Sequence, residues 1–274
     1  MKGTVLHELR LFFVALQFLT RMPSPRWVGF EPAWLNDSAR HFPLVGALVG
    51  GAGAAVLGAA SLAWPPAVAA LLSIVATVWV TGGFHEDGFA DSCDALGGSV
   101  TRERALEIMK DSRIGAYGAI GLVLMLGTKA AVLAGLVQAA GAGGAMAAVM
   151  WVHAASRSVP LWLMRRLPYA GDVAQAKARP MAVPVSAAGL GIGLGWVALA
   201  TAVVLVPTTA LRVPPAAVLA SLAACTAVAV YGEPWLRRRL GGYTGDALGA
   251  SQQLAELAAL LVWLAVLRAG VEGA

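Results

Sequence analysis

Seven long apolar segments are the feature that most limits how this chain can fold. Each is close to the length of about 17–25 residues that an α-helix needs to cross a bilayer. The segments are residues 42–64, 66–84, 115–138, 143–164, 182–206, 215–231 and 246–267. Only 13% of the residues are charged, about half the share of a typical soluble domain. The sequence therefore predicts an all-α, polytopic membrane helix bundle with about seven transmembrane helices.

The N-terminal segment, residues 1–40, has an apolar run that is too short to span a bilayer. His7 and Glu8 within it are unlike a signal peptide. We predict an interfacial amphipathic helix that ends before Pro23. Nothing indicates a separate soluble domain, so residues 1–274 are predicted to form one integral membrane domain, with the transmembrane bundle at 42–267.

Lysine and arginine are distributed asymmetrically between the predicted loops. Sixteen of the 20 lie in the N-terminal segment and in alternate loops, whereas the other loops contain only Arg212 and Arg268. The positive-inside rule then predicts a cytoplasmic N-terminus and an external C-terminus. Most acidic residues fall on the predicted cytoplasmic side. The same short basic clusters lack interleaved aromatic residues, which argues against nucleic-acid binding.

The densest polar motif is GGFHEDGFADSCDALGG, residues 82–98. On a helix, Asp87, Asp91 and Asp94 share one face because they are spaced i, i+4 and i+7. Three like charges on one face repel one another, and a hard divalent cation with oxygen ligands would compensate them. Alternatively, they cap a helix end or face solvent. His85 is a candidate metal ligand or general base, or else a hydrogen-bonded interfacial histidine.

A second polar motif, EIMKDSRIGAYG, covers residues 107–118. It is predicted to be an amphipathic surface helix that enters the third apolar segment. Lys110 and Arg113 could bind phosphate oxygens, and Asp111 could complete a metal site. The alternative is an ordinary surface helix with paired charges.

A third polar stretch, LGGYTGDALGASQQLAEL, begins the last apolar segment. Thr244 is suited to capping the helix that follows, and Asp246 lies at the predicted cytoplasmic end of that helix. Glu256 lies deeper, where a carboxylate must be paired. We expect it to pair with Lys129 or Arg157 rather than to take part in the site.

Several common catalytic motifs are absent from the sequence. It contains no Walker A motif, no HExxH, no GxSxG and no zinc-type set of cysteine and histidine. Cys93 and Cys225 are the only cysteines, and neither belongs to a CxxC pair. Both are interpreted as structural residues.

The three polar motifs, together with FLTRMPSPR and HFPLVGALVG near the N-terminus, resemble the cobalamin synthase family in order and spacing. The resemblance covers nearly the whole chain. It implies a magnesium-dependent enzyme of the bacterial cytoplasmic membrane that acts on small-molecule substrates at the cytoplasmic face. Such an enzyme joins adenosylcobinamide-GDP to α-ribazole or its 5′-phosphate. The products are adenosylcobalamin or its 5′-phosphate, and GMP.

Candidate site residues follow from combining the motifs with this reaction class, in which charge neutralisation and positioning dominate. The catalytic candidates are His85, Asp87 and Asp91. The candidate magnesium ligands are Asp87, Asp91, Asp94, Asp111 and Asp246. The candidate substrate- and phosphate-binding residues are Lys110, Arg113, Arg165, Arg166 and Thr244.

Two alternative functions also follow from a membrane protein with clustered acidic residues. A membrane phosphotransferase that uses a CDP-activated alcohol would share the metal dependence, but this chain has DGFAD where that family has D-G-x-x-A-R. A transporter would place ionisable groups near the middle of the bilayer, whereas these acidic motifs gather at one face. The lipid bilayer is an expected partner, and a homo-oligomer is left open.

Overall fold

The structure is a computed structural model that describes residues 2–171, 183–206 and 213–272. Within these ranges the regular elements are helices and one isolated β-bridge. In chain order the α-helices are α1 Lys2–Leu19, α2 Pro32–Ser38, α3 Phe42–Ala60, α4 Pro66–Thr81, α5 Phe84–Leu96, α6 Arg102–Ile108, α7 Ala116–Ser156, α8 Ser158–Arg166, α9 Ala187–Leu205, α10 Pro215–Leu240 and α11 Gly245–Glu272. The all-α prediction is confirmed.

Five helical stretches in the described residues are long and apolar enough to cross a membrane, and the bent pair α4–α5 would be a sixth. The five are Pro32–Ala60, Ala116–Arg166, Ala187–Leu205, Pro215–Leu240 and Gly245–Gly270. Large apolar side chains lie on the outer surface, for example Trp79, Val123 and Leu219, which are 70%, 72% and 66% exposed. Such an outer surface is suited to lipid, and the chain is a multi-pass membrane protein.

Helix α7 reverses direction near its middle and therefore counts as two passes. Lys129 Nζ lies 2.7 Å and His153 Nδ1 lies 3.3 Å from the carboxylate of Glu256. In a straight helix these two residues would be about 36 Å apart at a rise of 1.5 Å per residue. The chain turns back at Gly141, whose φ of 69° and ψ of 174° are not helical. Counting α7 as two passes and the bent pair as one brings the candidate spans in the described residues to seven, the number that the sequence predicts.

Close packing of α3 against α7 depends on small residues. Gly46 and Gly50, spaced i and i+4, face the second half of α7. A Cβ atom at Gly50 would lie 2.7 Å from His153 Cβ, and one at Gly46 would collide with the His153 carbonyl oxygen. Small residues at this spacing let membrane helices approach closely, which places the polar residues of α7 in the centre of the bundle.

The N-terminal segment forms α1, which ends at Leu19, before Pro23. Leu11 and Ala15 are buried against the bundle, whereas Val5 is 63% exposed. The helix that the sequence predicts is confirmed. Its location at the membrane interface stays a prediction.

Helix α10 is longer than the predicted apolar segment at 215–231. It continues through Pro234 to Leu240 and ends at Gly241, which adopts a left-handed conformation with φ 75°. Its last turn carries the three arginines Arg237–Arg239, whose charges interact favourably with the C-terminal end of a helix. The sequence predicts a loop at these arginines because the apolar segment ends before the charges begin.

Candidate active site

A sharp bend between α4 and α5 brings the first motif to one end of the bundle. Gly82 and Gly83 both adopt left-handed backbone conformations, with φ of 72° and 74°. Only glycine adopts this region without a steric penalty. The two helix axes therefore meet at 92°. As predicted, Asp87 and Asp91 share a face of α5, separated by one helical turn.

Close crossing of α5 and α11 then brings the first and third motifs together. A Cβ atom at Gly88 would lie 2.9 Å from the backbone of Asp246, and one at Gly249 would lie 3.4 Å from the carbonyl oxygen of His85. Because neither glycine has a side chain, the two helices approach almost backbone to backbone. Asp246 is thereby placed beside the aspartates of α5.

A cavity of about 660 Å³ opens where these helices meet. Its polar lining contains seven of the predicted site residues, namely His85, Asp87, Asp91, Lys110, Asp111, Thr244 and Asp246. Its apolar wall includes Phe18, Phe42, Phe84, Leu106, Met109 and Leu248. The cavity therefore combines a carboxylate-rich side with a surface suited to aromatic or aliphatic groups.

The β-bridge and the cap of α11 hold the rim of this cavity. Tyr243 N–H donates to the Pro168 carbonyl at 2.9 Å, and the Ala170 N–H donates to the Tyr243 carbonyl at 2.8 Å. Thr244 Oγ1 accepts from the Ala247 N–H at 3.1 Å. The predicted cap at Thr244 is confirmed, and the same residue lines the cavity.

Asp94 has a different environment from the one predicted. Its two carboxylate oxygens accept hydrogen bonds from the backbone N–H groups of Gly115 and Gly118, at 2.7 and 2.8 Å. It does not line the cavity. A carboxylate satisfies the free N–H groups at a helix N-terminus and is stabilised by the helix dipole. Asp94 thus caps α7 instead of lining the cavity, because the start of α7 covers this end of the shared helical face.

The second motif is a loop rather than the continuous helix that was predicted. Helix α6 ends at Ile108 and α7 begins at Ala116. Asp111 Oδ1 accepts from the Arg113 backbone N–H at 3.1 Å, and such local bonds compete with helix formation. The loop brings Lys110 and Asp111 to the cavity.

Arg113 is paired with Asp111 and points out of the cavity. Its Nη2 lies 2.6 Å from Asp111 Oδ2, and its side chain is 87% exposed. Hydrogen bonds from the Arg113 side chain and backbone lower the pKa of Asp111 to about 2. Asp111 therefore remains ionised throughout the physiological pH range. Arg113 does not line the cavity and reaches it through this pairing, and its direct contact with phosphate stays a prediction.

Arg165 and Arg166 do not line the cavity either. Arg165 donates to the Val185 carbonyl at 3.2 Å. Arg166 lies 3.3 Å from the carboxylate of Glu233 and over the ring of Trp162. These contacts connect α8 with α10 and with the segment before α9. The substrate binding predicted for the two arginines stays a prediction. The same segment is predicted to be a basic loop that continues to Lys177 and Arg179, but residues 172–182 lie outside the described part of the chain.

A buried polar network lies below the site. Glu256, 1% exposed, pairs with Lys129 and His153 as described above, and Gln252 Nε2 donates to it at 2.7 Å. Lys129 also donates to Gln253 at 2.7 Å. The expected structural pairing of Glu256 with Lys129 is confirmed.

Arg157 was the alternative predicted partner of Glu256. In the structure it is a cavity residue. It lies between α7 and α8, where Pro160 lacks the N–H that would bond to the Ser156 carbonyl and so interrupts the helix. Its side chain lines the cavity. The spacing of His153 and Arg157, i and i+4 within an otherwise apolar segment, is the signal that could have identified it.

A second cavity, of about 630 Å³, lies beside α5 and shares Asp87 and Asp91 with the first. Glu86 lines this second cavity, and Gln253 Nε2 donates to its Oε1 at 3.0 Å. The two aspartates therefore stand between two spaces, and Glu86 points away from the first one.

The aspartates of the cavity are the candidate ligands of a magnesium ion. Within residues 2–171, 183–206 and 213–272, no three His, Cys, Asp or Glu side chains are grouped as a protein-only metal site. Magnesium, however, usually keeps waters and is bound by one or two carboxylates together with substrate phosphates. Asp87, Asp91 and Asp246 supply hard oxygen donors from two helices to one cavity. They fit an ion that is shared with a bound phosphate.

Comparison with known proteins gives matches along almost the whole chain. Residues 11–264 match the family described as cobalamin-5-phosphate synthase. An adenosylcobinamide-GDP ribazoletransferase of Leptothrix cholodnii is 57% identical, with 96% of this chain and 98% of the relative covered. Proteins of the same name from Polaromonas naphthalenivorans and Shewanella piezotolerans are 44% and 39% identical, with 93% and 94% of this chain and 97% and 96% of the relatives covered. No solved structure matches the chain.

Proposed function

The chain belongs to the cobalamin-5-phosphate synthase family, and from this premise we propose a magnesium-dependent transfer between adenosylcobinamide-GDP and α-ribazole or its 5′-phosphate. The enzyme is a transferase of cobalamin synthesis. In the proposed step, a ribazole hydroxyl attacks the phosphorus attached to cobinamide. A new P–O bond forms, the bond to the bridging oxygen of the diphosphate breaks, and GMP leaves.

One observation carries this proposal. Acidic residues from segments far apart in the sequence, Asp87 and Asp91 on α5, Asp111 before α7 and Asp246 on α11, line one cavity together with Lys110. Transfer between phosphates needs charge neutralisation and in-line positioning more than covalent catalysis. A carboxylate-rich cavity with a cation at its edge is suited to that task.

The side chains divide this work between them. Asp87, Asp91 and Asp246 would hold magnesium, which when bound supplies charge neutralisation at the phosphates. Lys110 would bind a phosphate oxygen, and its exposed position allows it to follow the substrate. His85 or one aspartate would accept the proton of the attacking hydroxyl. The apolar wall would hold the less polar parts of the substrates and exclude water from the reacting groups.

A transfer assay tests the proposal directly. Membranes that contain the enzyme are supplied with adenosylcobinamide-GDP and α-ribazole, or with its 5′-phosphate, with and without Mg²⁺. We expect a cobalamin product and GMP only when Mg²⁺ is present. Membranes with Asp87→Asn at equal expression are the control and should be at least about a hundredfold less active, since losing a metal-stabilised transition state costs several kcal/mol. Equal product formation without any divalent cation would refute the metal dependence, and transfer from a CDP-activated donor instead would refute the substrate assignment.

A further inference from the structure

A buried arginine on the wall of the cavity has no role in the chemistry described so far. The Arg157 residue is only 2% exposed, yet its side chain lines the cavity. Its Nη1 donates to the His153 carbonyl at 2.9 Å and lies 3.3 Å from His153 Nδ1. Its Nε has no hydrogen-bond partner among the described residues.

The charge of Arg157 is not paired within the described part of the chain. No ion pair within 4.0 Å joins its guanidinium to a carboxylate there. Glu256 and Glu86 act on it only from a greater distance, and Glu256 is bound to Lys129 at 2.7 Å. A buried cation that lacks a direct counter-charge is unfavourable. An anion in the cavity would remove this cost and would also satisfy Nε.

The surroundings of Arg157 hold it in position. A Cβ atom at Gly46 would lie 2.7 Å from Arg157 Cδ, so α3 makes room for the arginine stem by having a glycine there. The two contacts with His153 fix one edge of the guanidinium. A planar, fixed guanidinium is well suited to bidentate binding of phosphate.

We propose that Arg157 is an anion-binding residue of this cavity and contacts the phosphoryl oxygens of a diphosphate or monophosphate group. The proposal rests on the proposed function and adds a second cationic contact to that of Lys110. The carboxylates Asp87 and Asp246 would face the metal-bound side of the substrate phosphates, and Arg157 would hold oxygens that the metal does not reach.

Binding of inorganic pyrophosphate to the purified, detergent-solubilised protein tests this role without requiring turnover. Titration calorimetry is done with and without Mg²⁺ on the wild type, Arg157→Gln and Arg157→Lys. We expect at least tenfold weaker binding for both variants, because Lys keeps the charge but loses the planar pair of donors. The matched control is Arg104→Lys, which is exposed, lies outside the cavity and should bind like the wild type. Thermal unfolding of each variant is recorded in parallel.

Using both Arg157→Gln and Arg157→Lys separates a loss of anion binding from a loss of folding. If Arg157→Gln does not fold, Arg157→Lys alone decides, because it preserves the buried charge. Wild-type affinity in Arg157→Lys, or no pyrophosphate binding by the wild type, would overturn the proposal. The two hypotheses also fail separately. A wild type that binds pyrophosphate through Arg157 but shows no transfer contradicts only the proposed function. An active enzyme whose KM for adenosylcobinamide-GDP is unchanged in Arg157→Lys contradicts only the role of Arg157.

Discussion

Asp91 and Asp94 are three positions apart, have the same chemistry and have different surroundings. Asp91 lines both cavities, whereas Asp94 accepts two backbone hydrogen bonds at the start of α7. Sequence spacing gives both residues the same helical face, but it does not show which other element covers that face. The neighbour decides the role of each carboxylate.

For Asp94→Asn, we expect a loss of stability rather than a direct loss of metal binding. The amide keeps only one good acceptor and loses the charge that favours a helix N-terminus, so unfolding should become easier by about 1 kcal/mol. Thermal unfolding in detergent measures this, with Asp91→Asn as the control. If Asp91→Asn is the less stable variant and Asp94→Asn unfolds like the wild type, the capping role is refuted.

The pairing of Asp111 with Arg113 predicts a pH effect. The folded-state pKa of Asp111 is about 2, below the ordinary value of about 3.9. The pair therefore stabilises the folded protein fully at pH values above that ordinary pKa. That contribution is lost as the pH falls toward the folded-state pKa. In Arg113→Gln the pKa of Asp111 should rise, and the acid limb of the activity profile should move to higher pH. Rates measured from about pH 3 to about pH 7 test this, and an unmoved acid limb would show that ionised Asp111 is not required.

At the scale of elements, the site depends on a glycine bend and a close helix crossing. Gly83 has a φ of 74°, and no atom lies within 4 Å of the position of a Cβ there. Gly83→Ala therefore introduces backbone strain without a steric clash. We expect it to destabilise the bend by about 1 kcal/mol and to lower activity by displacing α5. Gly127→Ala in α7 is the matched control, because it also meets no atom within 4 Å but has a helical φ. Equal activity of the two variants would mean that the bend does not position the site.

The sequence predicts the helices of this fold better than the contacts between them. Hydropathy predicts the passes, and residue types predict the cap at Thr244 and the partner of Glu256. The meeting of α5 with α11 depends on Gly88 and Gly249, and no local pattern shows that these glycines face each other. The loop at Lys110 and Asp111 was missed because a side chain that bonds to the backbone two residues further on, as Asp111 does to the Arg113 N–H, overrides an amphipathic pattern.

At the scale of the whole molecule, the seven passes predict where each end of the chain lies. The cavity is lined by Phe18 and Leu19 of α1 and by Lys110, and the positive-inside rule predicts a cytoplasmic location for the N-terminal segment and for the loop that contains Lys110. Reporter fusions after Arg212 and at the C-terminus should both report the external side. Two cytoplasmic reports would contradict the predicted orientation.

The central claim is that carboxylates of α5 and α11 together form one metal–phosphate site. Binding of Mn²⁺, a paramagnetic substitute for Mg²⁺, is measured by electron paramagnetic resonance on purified protein in the presence of pyrophosphate. We expect at least tenfold weaker Mn²⁺ binding for both Asp87→Asn and Asp246→Asn, and unchanged binding for Asp94→Asn. Wild-type binding in Asp246→Asn together with loss in Asp94→Asn would contradict the claim, because the metal would then be held along α5 alone.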